Sequence, residues 1–268
     1  MADDKLRALG YNILIILLII LIHKIPLFLF FQSMGVSEIR ADLFDKICLN
    51  TVVIFFGIYE IRKKNFLVES GLLLSMKSPY LYAILLFYLF LFTGGFNSLK
   101  AIPGHELFNS LVFIFLIKSI TVGILEEVIF RGLIQSSILK VFLEDKNGIL
   151  KGVLISAILF GLAHVINIGQ DYISIGGVMQ QIFAATCLGA LFGAILIRTK
   201  NIYPIVILHA AISFFTLIGT LFPEYFPDKP QIEESNLQII VGLLLVILLF
   251  GSALVTAIYL IRSKKVIH

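Results

Sequence analysis

Eight long apolar runs divide this sequence, and their length constrains the fold more than any other feature. A helix needs about 20 apolar residues to cross the hydrocarbon core of a membrane. The fourth run is long enough to contain a break, for which Gly123 is the candidate. The runs are Tyr11–Phe31, Lys46–Ile61, Tyr80–Phe96, Phe108–Leu139, Ile149–Val165, Val178–Arg198, Tyr203–Phe222 and Leu237–Ile261. Because the connections are short, we predict an all-α fold, a polytopic membrane helical bundle of about eight transmembrane helices.

The composition supports a membrane protein and excludes a soluble enzyme. Hydrophobic residues make up 59% of the chain and charged residues only 14%, with a mean hydropathy of +1.02. A soluble domain carries about a quarter charged residues. The net charge of +4 is weak support for nucleic-acid binding, and we predict no nucleic-acid partner. Cys48 and Cys187 lack metal-ligand spacing, and we interpret both as core packing.

The distribution of basic residues predicts the orientation of the chain. With the N-terminus inside, most of the 21 Lys and Arg residues fall in loops on that side, so we expect both termini in the cytoplasm. The first run is too long for the core of a signal peptide and is interpreted as a span. We expect a single membrane domain over 1–268. It would comprise peripheral spans in 1–105, catalytic core spans in 106–222 and a C-terminal span in 223–268, in a bacterial plasma membrane.

Three charged side chains lie together inside the fourth apolar run. They are Glu126, Glu127 and Arg131, and ionised residues at membrane depth are rare and usually functional. Glu127 and Arg131 are four residues apart and share a helix face, so we expect them to pair. Glu126 points about 100° away and has no cation on its own helix. It is therefore predicted to be a free carboxylate, suited to act as a general base. The alternative is that both acids only cap or staple helices.

Two histidines on other spans are expected to join these residues. His164 ends the fifth run, and His209 lies four residues before Ser213 in the seventh. By helix rise, Glu126, His164 and His209 lie about 14 to 21 Å from the basic residues at the inner ends of their helices. The three side chains can therefore lie in one layer of the membrane. Gly161, Gly189 and Gly193 would let the helices around this layer approach closely.

The residue types predict hydrolysis. Glu126 would take a proton from water that His164 orients, and His209 and Ser213 would donate hydrogen bonds to a developing oxyanion. The alternative is a metal, with Glu126, His164 and His209 holding Zn²⁺ and a fourth position open to water. The sequence lacks the His-Glu-x-x-His helix of most zinc proteases.

Two other function classes remain open from the residues alone. A non-catalytic membrane protein, such as an immunity or peptide-binding protein, needs none of this chemistry. A transporter or proton relay also uses intramembrane Glu and His. Transporters commonly show repeat symmetry between their halves, and this sequence shows no internal repeat.

The array of motifs resembles one family. Glu-Glu-x-x-x-Arg, then Phe-x-x-x-His, then a His four residues before a polar residue is similar to the CAAX-protease and bacteriocin-processing (CPBP, Abi-type) family of intramembrane endopeptidases. The match covers about Leu125 to Ser213, including the Tyr-Pro-x-x-x-x-His segment that ends at His209.

The resemblance implies a role for each matching residue. Glu126 would activate water with His164 as its partner, Glu127 and Arg131 would support the site, and His209 would lie on the oxyanion side. Ser213 departs from the family, which usually has Asn or Asp there. The resemblance leaves the cofactor open between none and Zn²⁺. It implies a hydrophobic or lipidated peptide as substrate, such as a prenylated CAAX protein in eukaryotic relatives or a bacteriocin-type peptide in bacterial ones, and membrane lipid as the surroundings.

Overall fold

The computed structural model of this chain describes residues 2–73, 81–92, 97–100, 102–169, 175–222 and 236–263. Within these ranges all regular secondary structure is helical. The α-helices are α1 Ala2–Ile22, α2 Leu27–Ser33, α3 Glu38–Lys63, α4 Leu81–Phe92, α5 Asn97–Lys100, α6 Ser110–Glu126, α7 Ser136–Phe142, α8 Gly148–Ala163, α9 Ile175–Thr199, α10 Tyr203–Leu217 and α11 Asn236–Arg262. Single 3₁₀ turns lie at Glu106–Phe108, His164–Asn167 and Ile218–Leu221, and a π-helix occupies Glu127–Gln135.

The helices confirm an all-α membrane architecture, while the number of spans stays a prediction. Among the described residues, four helical stretches are long and apolar enough to cross a membrane, and Val246–Arg262 is a shorter apolar helix. The four are Asp3–Ser33, Gly148–Asn167, Ile175–Thr199 and Tyr203–Leu221. The helix α3 carries charged residues near both ends, and Tyr80 and residues 93–96 of the third predicted span lie outside the described ranges. The cytoplasmic location of both termini also stays a prediction.

The first predicted span lies within the helical stretch Asp3–Ser33, in which α1 ends at Ile22 and α2 begins after Pro26, a residue with no backbone N–H to donate. Two local expectations were wrong. No break occurs at Gly123, because α6 runs through it and a Cβ there would lie 2.8 Å from the backbone nitrogen of Ala210. Gly123 is instead where α6 and α10 touch. Cys48 is exposed and does not pack in the core, whereas Cys187 is buried as predicted.

The helix hydrogen-bonding pattern changes just after Gly123, at the π-helix. Its i→i+5 hydrogen bonds widen the helix, and such segments frequently mark functional sites. All nine residues of Glu127–Gln135 are buried. Two side-chain hydrogen bonds join this segment to its neighbours: Ser156 Oγ of α8 donates to the Phe130 carbonyl at 3.0 Å, and Gln135 Nε2, within the segment, donates to the Gly193 carbonyl of α9 at 3.3 Å. The wide segment therefore lies against α8 and α9 with polar contacts on both.

Glycines set the close approach of these helices, as the sequence predicted. A Cβ on Gly161 of α8 would lie 2.0 Å from Thr186 Oγ1 and 2.7 Å from the Ile182 carbonyl oxygen on α9. A Cβ on Gly193 would lie 2.2 Å from Gln135 Oε1. Any side chain at these positions would push the helices apart, so the small residues position α8 and α9 against the π-helix.

The contact at Gly161 predicts a stability defect. We expect Gly161→Ala to lower the free energy of unfolding by about 1–3 kcal/mol, because the added methyl group overlaps a backbone carbonyl that cannot move aside. Thermal unfolding of the purified protein in detergent measures this. Gly10→Ala is the matched control, since a Cβ on Gly10 of α1 meets no atom within 4 Å. Equal unfolding temperatures for the two variants would contradict the proposed close packing.

A charged contact outside the spans gives a second prediction. Asp145, in the loop between α7 and α8, accepts hydrogen bonds from Lys5 Nζ at 2.5 Å and from Lys151 Nζ at 3.0 Å. The bond from Lys5, followed by that from Lys151, lowers the pKa of the Asp145 carboxyl below its ordinary value of 3.8. A carboxyl with a lowered folded-state pKa stabilises the fold above its unfolded pKa and loses that contribution as the pH falls.

We therefore expect Asp145→Asn to lower the unfolding temperature at neutral pH and to have little effect well below pH 4. The measurement is the difference in unfolding temperature between the wild type and this variant across the pH range. Exposed Asp42→Asn, whose nearest cation Lys46 lies 3.9 Å away, is the comparison. A difference that grew as the pH fell would have the wrong sign and would contradict the assignment.

Candidate active site

The structure brings four of the six predicted site residues into one buried cluster. Glu126 is the last residue of α6, and Glu127 and Arg131 lie in the π-helix that follows. His209 comes from α10, which meets α6 at Gly123. His164 is the first residue of the 3₁₀ turn that follows α8, and it lies beside the cluster.

His209 lies between the two carboxylates. Its Nδ1 is 2.7 Å from Glu127 Oε1, with hydrogen-bond geometry, and its Nε2 is 3.1 Å from Glu126 Oε2, at ion-pair distance. Carboxylate oxygens only accept, so both ring nitrogens must donate if both acids are ionised, which makes the ring an imidazolium. Glu127 is fully buried, whereas the Glu126 side chain is 22% exposed. The expectation of a free Glu126 was therefore wrong, because its cation comes from a different helix.

Arg131 pairs with Glu127, as their spacing predicts. Its Nε lies 3.2 Å from Glu127 Oε2, and both side chains are almost completely buried. The Arg131 Cζ lies 4.1 Å from the centre of the Phe160 ring, a cation–π distance. Its two terminal nitrogens have no hydrogen-bond partner among the described residues. With Glu126, Glu127 and an imidazolium at His209, Arg131 makes a cluster of two negative and two positive charges.

Phe160 connects this cluster to His164. Its ring is 5.1 Å from that of His164, nearly perpendicular to it, and 6.0 Å from that of His209. Phe192 of α9 contacts His209 from another side, with ring centres 5.9 Å apart. The motif contains Phe160, but nothing in the sequence distinguishes Phe192 from the other phenylalanines, of which the chain has 24.

The hydrogen bond of His164 determines which of its nitrogens is available. His164 Nδ1 lies 3.0 Å from the carbonyl oxygen of Phe160. A carbonyl oxygen only accepts, so Nδ1 carries the proton. In the neutral ring, Nε2 is then an acceptor, free to take a hydrogen bond from water. Because Phe160 and His164 are one turn apart, this arrangement is built into the end of α8.

Glu126 and His164 line the same cavity, which has a volume of about 330 Å³. Its wall is mostly apolar, with residues from α1, α3, α6 and α8. Lys46, Lys118 and His23 also line it. The same three residues line an adjoining outer cavity of about 730 Å³. In the sequence, Lys118 lies inside the fourth apolar run. A charged residue in such a run is a candidate site residue, so the sequence does contain a signal for Lys118. The two residues predicted to activate water thus face the same cavity.

Ser213 lies apart from these contacts. Its side chain makes no hydrogen bond within the part of the chain that the structure describes, and it does not line the cavity beside Glu126. His209, its expected partner in binding an oxyanion, has both nitrogens directed at carboxylates. The oxyanion role of this pair stays a prediction.

The arrangement does not fit the predicted zinc ligands. Three ligands must direct lone pairs at one point. His209 directs one nitrogen at each glutamate, and His164 uses Nδ1 on a backbone carbonyl. In the described ranges, no group of three or more His, Cys, Asp or Glu side chains is arranged to hold a metal ion. The side chains present therefore do not form the zinc site offered as the alternative.

Comparison with known proteins gives one match, and it covers the site. Residues 108–215 match the Rce1-like family model, described as type II CAAX prenyl endopeptidase Rce1-like. All six predicted site residues lie within the matched segment, and the match confirms the family resemblance found in the sequence motifs. No curated protein and no solved structure matches the chain. The match and the apolar helices together indicate an integral membrane protein.

The buried pair Glu127–Arg131 predicts a large stability effect. We expect Glu127→Gln to lower the free energy of unfolding by about 3–5 kcal/mol, because it leaves the Arg131 charge buried without its counter-charge. The double variant Glu127→Gln/Arg131→Met should regain part of this loss. Thermal unfolding measures both, and Glu69→Gln, an exposed site, is the control. A double variant that loses more unfolding free energy than the two single variants lose together would contradict the pairing.

Proposed function

We propose that this protein, whose residues 108–215 belong to the Rce1-like type II CAAX prenyl endopeptidase family, hydrolyses a peptide bond of a membrane-associated peptide or lipidated protein. The observation that carries the proposal is the shared cavity of Glu126 and His164, backed by the buried charges of Glu127, Arg131 and His209. Its apolar wall suits a hydrophobic or lipidated peptide entering from the membrane. A bacterial plasma membrane is the proposed location.

The nucleophile in this proposal is a water molecule in the cavity. Glu126 takes one proton from the water, and His164 Nε2 accepts a hydrogen bond from the other hydrogen, so that the oxygen lone pair is directed at the substrate carbonyl. The C–N bond breaks when the tetrahedral intermediate collapses. Protonated Glu126 then returns its proton to the leaving amine, which restores the starting state.

The buried residues have a supporting role. The imidazolium of His209 and the guanidinium of Arg131 balance the charges of Glu126 and Glu127, so that Glu126 can be ionised before water binds. Once Glu126 takes up a proton, it holds His209 less strongly. The Nε2–H group of His209 can then donate to the oxyanion, the role that the family resemblance implies. No metal is required in this scheme.

Replacing Glu126 is the first test. We expect Glu126→Gln to reduce cleavage of an S-farnesylated peptide by at least about 10³-fold, because the amide cannot accept a proton from water, while the variant stays folded. Glu69→Gln, which removes an exposed carboxylate, should cleave like the wild type. Product formation is followed by mass spectrometry with purified protein in detergent. Full activity of Glu126→Gln would contradict the assignment of the base.

The cofactor is tested in the same assay with a strong chelator. Cleavage that resists the chelator and is lost in Glu126→Gln supports the metal-free scheme. Cleavage that the chelator abolishes and Zn²⁺ restores would overturn it. A wild-type protein that binds lipidated peptides without cleaving any would instead support the alternative of a non-catalytic peptide-binding protein.

A further inference from the structure

A separate cavity lies at the end of the bundle where α1 begins and α3 ends. Its volume is about 480 Å³, within the range of about 300–1,000 Å³ that is typical of small-molecule sites. The first turns of α1, the end of α3 with the loop that follows it, and α7 form its wall. It shares no lining residue with the cavity beside Glu126, so the proposed mechanism does not use it.

The lining of this cavity is basic. Four of its residues are cations and none is an acid, and the cations are Arg7, Lys63, Lys64 and Lys140. Lys64 is half-buried, and the other three are exposed. They come from three helices that are far apart in the sequence, so the fold collects them around one space. Guanidinium and ammonium groups that surround a cavity are donors suited to the oxygens of a phosphate.

Nearby acids offset only part of this charge. Glu60 Oε1 lies 3.6 Å from Lys63 Nζ, and Asp4 interacts electrostatically with Arg7. Four cations against these two acids leave an excess of two positive charges. The ion pairs of Asp145 at the same end of the bundle involve two further lysines, so they do not reduce the excess. The cavity therefore remains attractive to an anion after its neighbours are counted.

Aromatic rings position two of the lysines at the cavity wall. Lys64 Nζ lies 3.9 Å from the centre of the Tyr11 ring, and Lys140 Nζ lies 5.7 Å from the centre of the Phe66 ring. Both are cation–π distances, and both rings line the cavity themselves. An ammonium group has three N–H donors, so a lysine held against a ring face can still donate to a ligand.

The cavity lies where apolar runs give way to basic residues. The apolar run of α1 begins at Tyr11, after Arg7, and α3 ends with Lys63. Lys140 lies in the last turn of α7. Tyrosine and long basic side chains at such boundaries lie at the level of the lipid headgroups. The distribution of basic residues predicts that this end faces the cytoplasm, where the leaflet carries anionic lipids.

We propose that this cavity binds the phosphate group of an anionic phospholipid such as phosphatidylglycerol. Lys64, Lys140 and Arg7 donate to the phosphate oxygens, and the apolar lining residues Ala8 and Val141 contact the glycerol part of the headgroup. A soluble phosphate compound offers the same oxygens, but the place of the cavity at the membrane boundary favours the lipid.

The bound lipid has a structural consequence for the active site. It joins α1, α3 and α7 through one headgroup, and α7 directly follows the π-helix that carries Glu127 and Arg131. Asn12 Nδ2 of α1 already donates to Ser137 Oγ of α7 at 3.5 Å beside the cavity. The lipid thus adds a second connection between the first helix and the helix that continues the catalytic segment.

The test measures lipid binding to the purified full-length protein in detergent. Short-chain phosphatidylglycerol and phosphatidylcholine are titrated separately, and the thermal unfolding temperature is followed with each. We expect phosphatidylglycerol to bind more tightly and to raise the unfolding temperature further. Lys64→Met/Lys140→Met should weaken phosphatidylglycerol binding by about 10- to 30-fold in Kd, the effect of two lysines at an anionic lipid surface. Lys64→Arg/Lys140→Arg keeps the charges and should keep the binding.

A matched control removes two cations at the same end of the bundle that do not line the cavity. Arg62→Met/Lys146→Met changes two exposed side chains and should bind phosphatidylglycerol like the wild type. Unfolding in phosphatidylcholine shows whether each variant is folded. Lys140→Met alters a single exposed side chain and carries the test if the double variant does not fold.

Three outcomes overturn the inference. Equal binding of the two lipids would show that the phosphatidylglycerol charge is not recognised. Equal losses in Lys64→Met/Lys140→Met and in Arg62→Met/Lys146→Met would assign the preference to the general surface charge. Glycerol 3-phosphate that binds as tightly as phosphatidylglycerol would identify a site for a soluble phosphate compound instead. Because none of these measurements involves peptide cleavage, the result is independent of the proposed function.

Discussion

The site depends on one buried arrangement of charges, in which His209 lies between two glutamates and Arg131 closes the far side. A single ionised carboxylate in this position would be strongly disfavoured, because the surroundings are aromatic and aliphatic. Two negative and two positive groups in mutual contact remove most of that cost. The members of the cluster differ in exposure: Glu127 and Arg131 are almost completely buried, while part of the Glu126 side chain is exposed to the cavity. One carboxylate is thus structural and the other is open to a substrate.

The backbone around the cluster is adapted to this arrangement. A π-helix begins at Glu127, and the side chains of Ser156 and Gln135 make its polar contacts with α8 and α9. Gly123 lets α10 approach α6 closely enough for His209 to reach both carboxylates. Gly161 does the same for α8 against α9, which positions Phe160 between the two histidines. Close backbone approach at these glycines thus helps to position the side chains that meet in the cluster.

The proposed function rests on the side chains that line the cavity. At the inner end, Glu126 and His164 offer two acceptors to water, and the buried cations behind them stabilise the ionised state. Toward the adjoining cavity the wall carries charges of both signs, with Lys46 and Lys118 beside Asp42 and Glu38.

The sequence by itself determined the all-α membrane class, because apolar runs in lipid have few alternatives to helices. It also determined the pairing of Glu127 with Arg131, which depends only on helical spacing, and the choice of His164 and His209 as residues that share one layer with the glutamates. Only the tertiary structure decided that Glu126 is bound to His209, that Gly123 does not interrupt the fourth run, and that Lys118 lines the cavity beside Glu126. These features depend on contacts between residues far apart in the sequence, such as Glu127 and His209, which are separated by 82 positions. The periodicity of a single segment carries no information about such contacts.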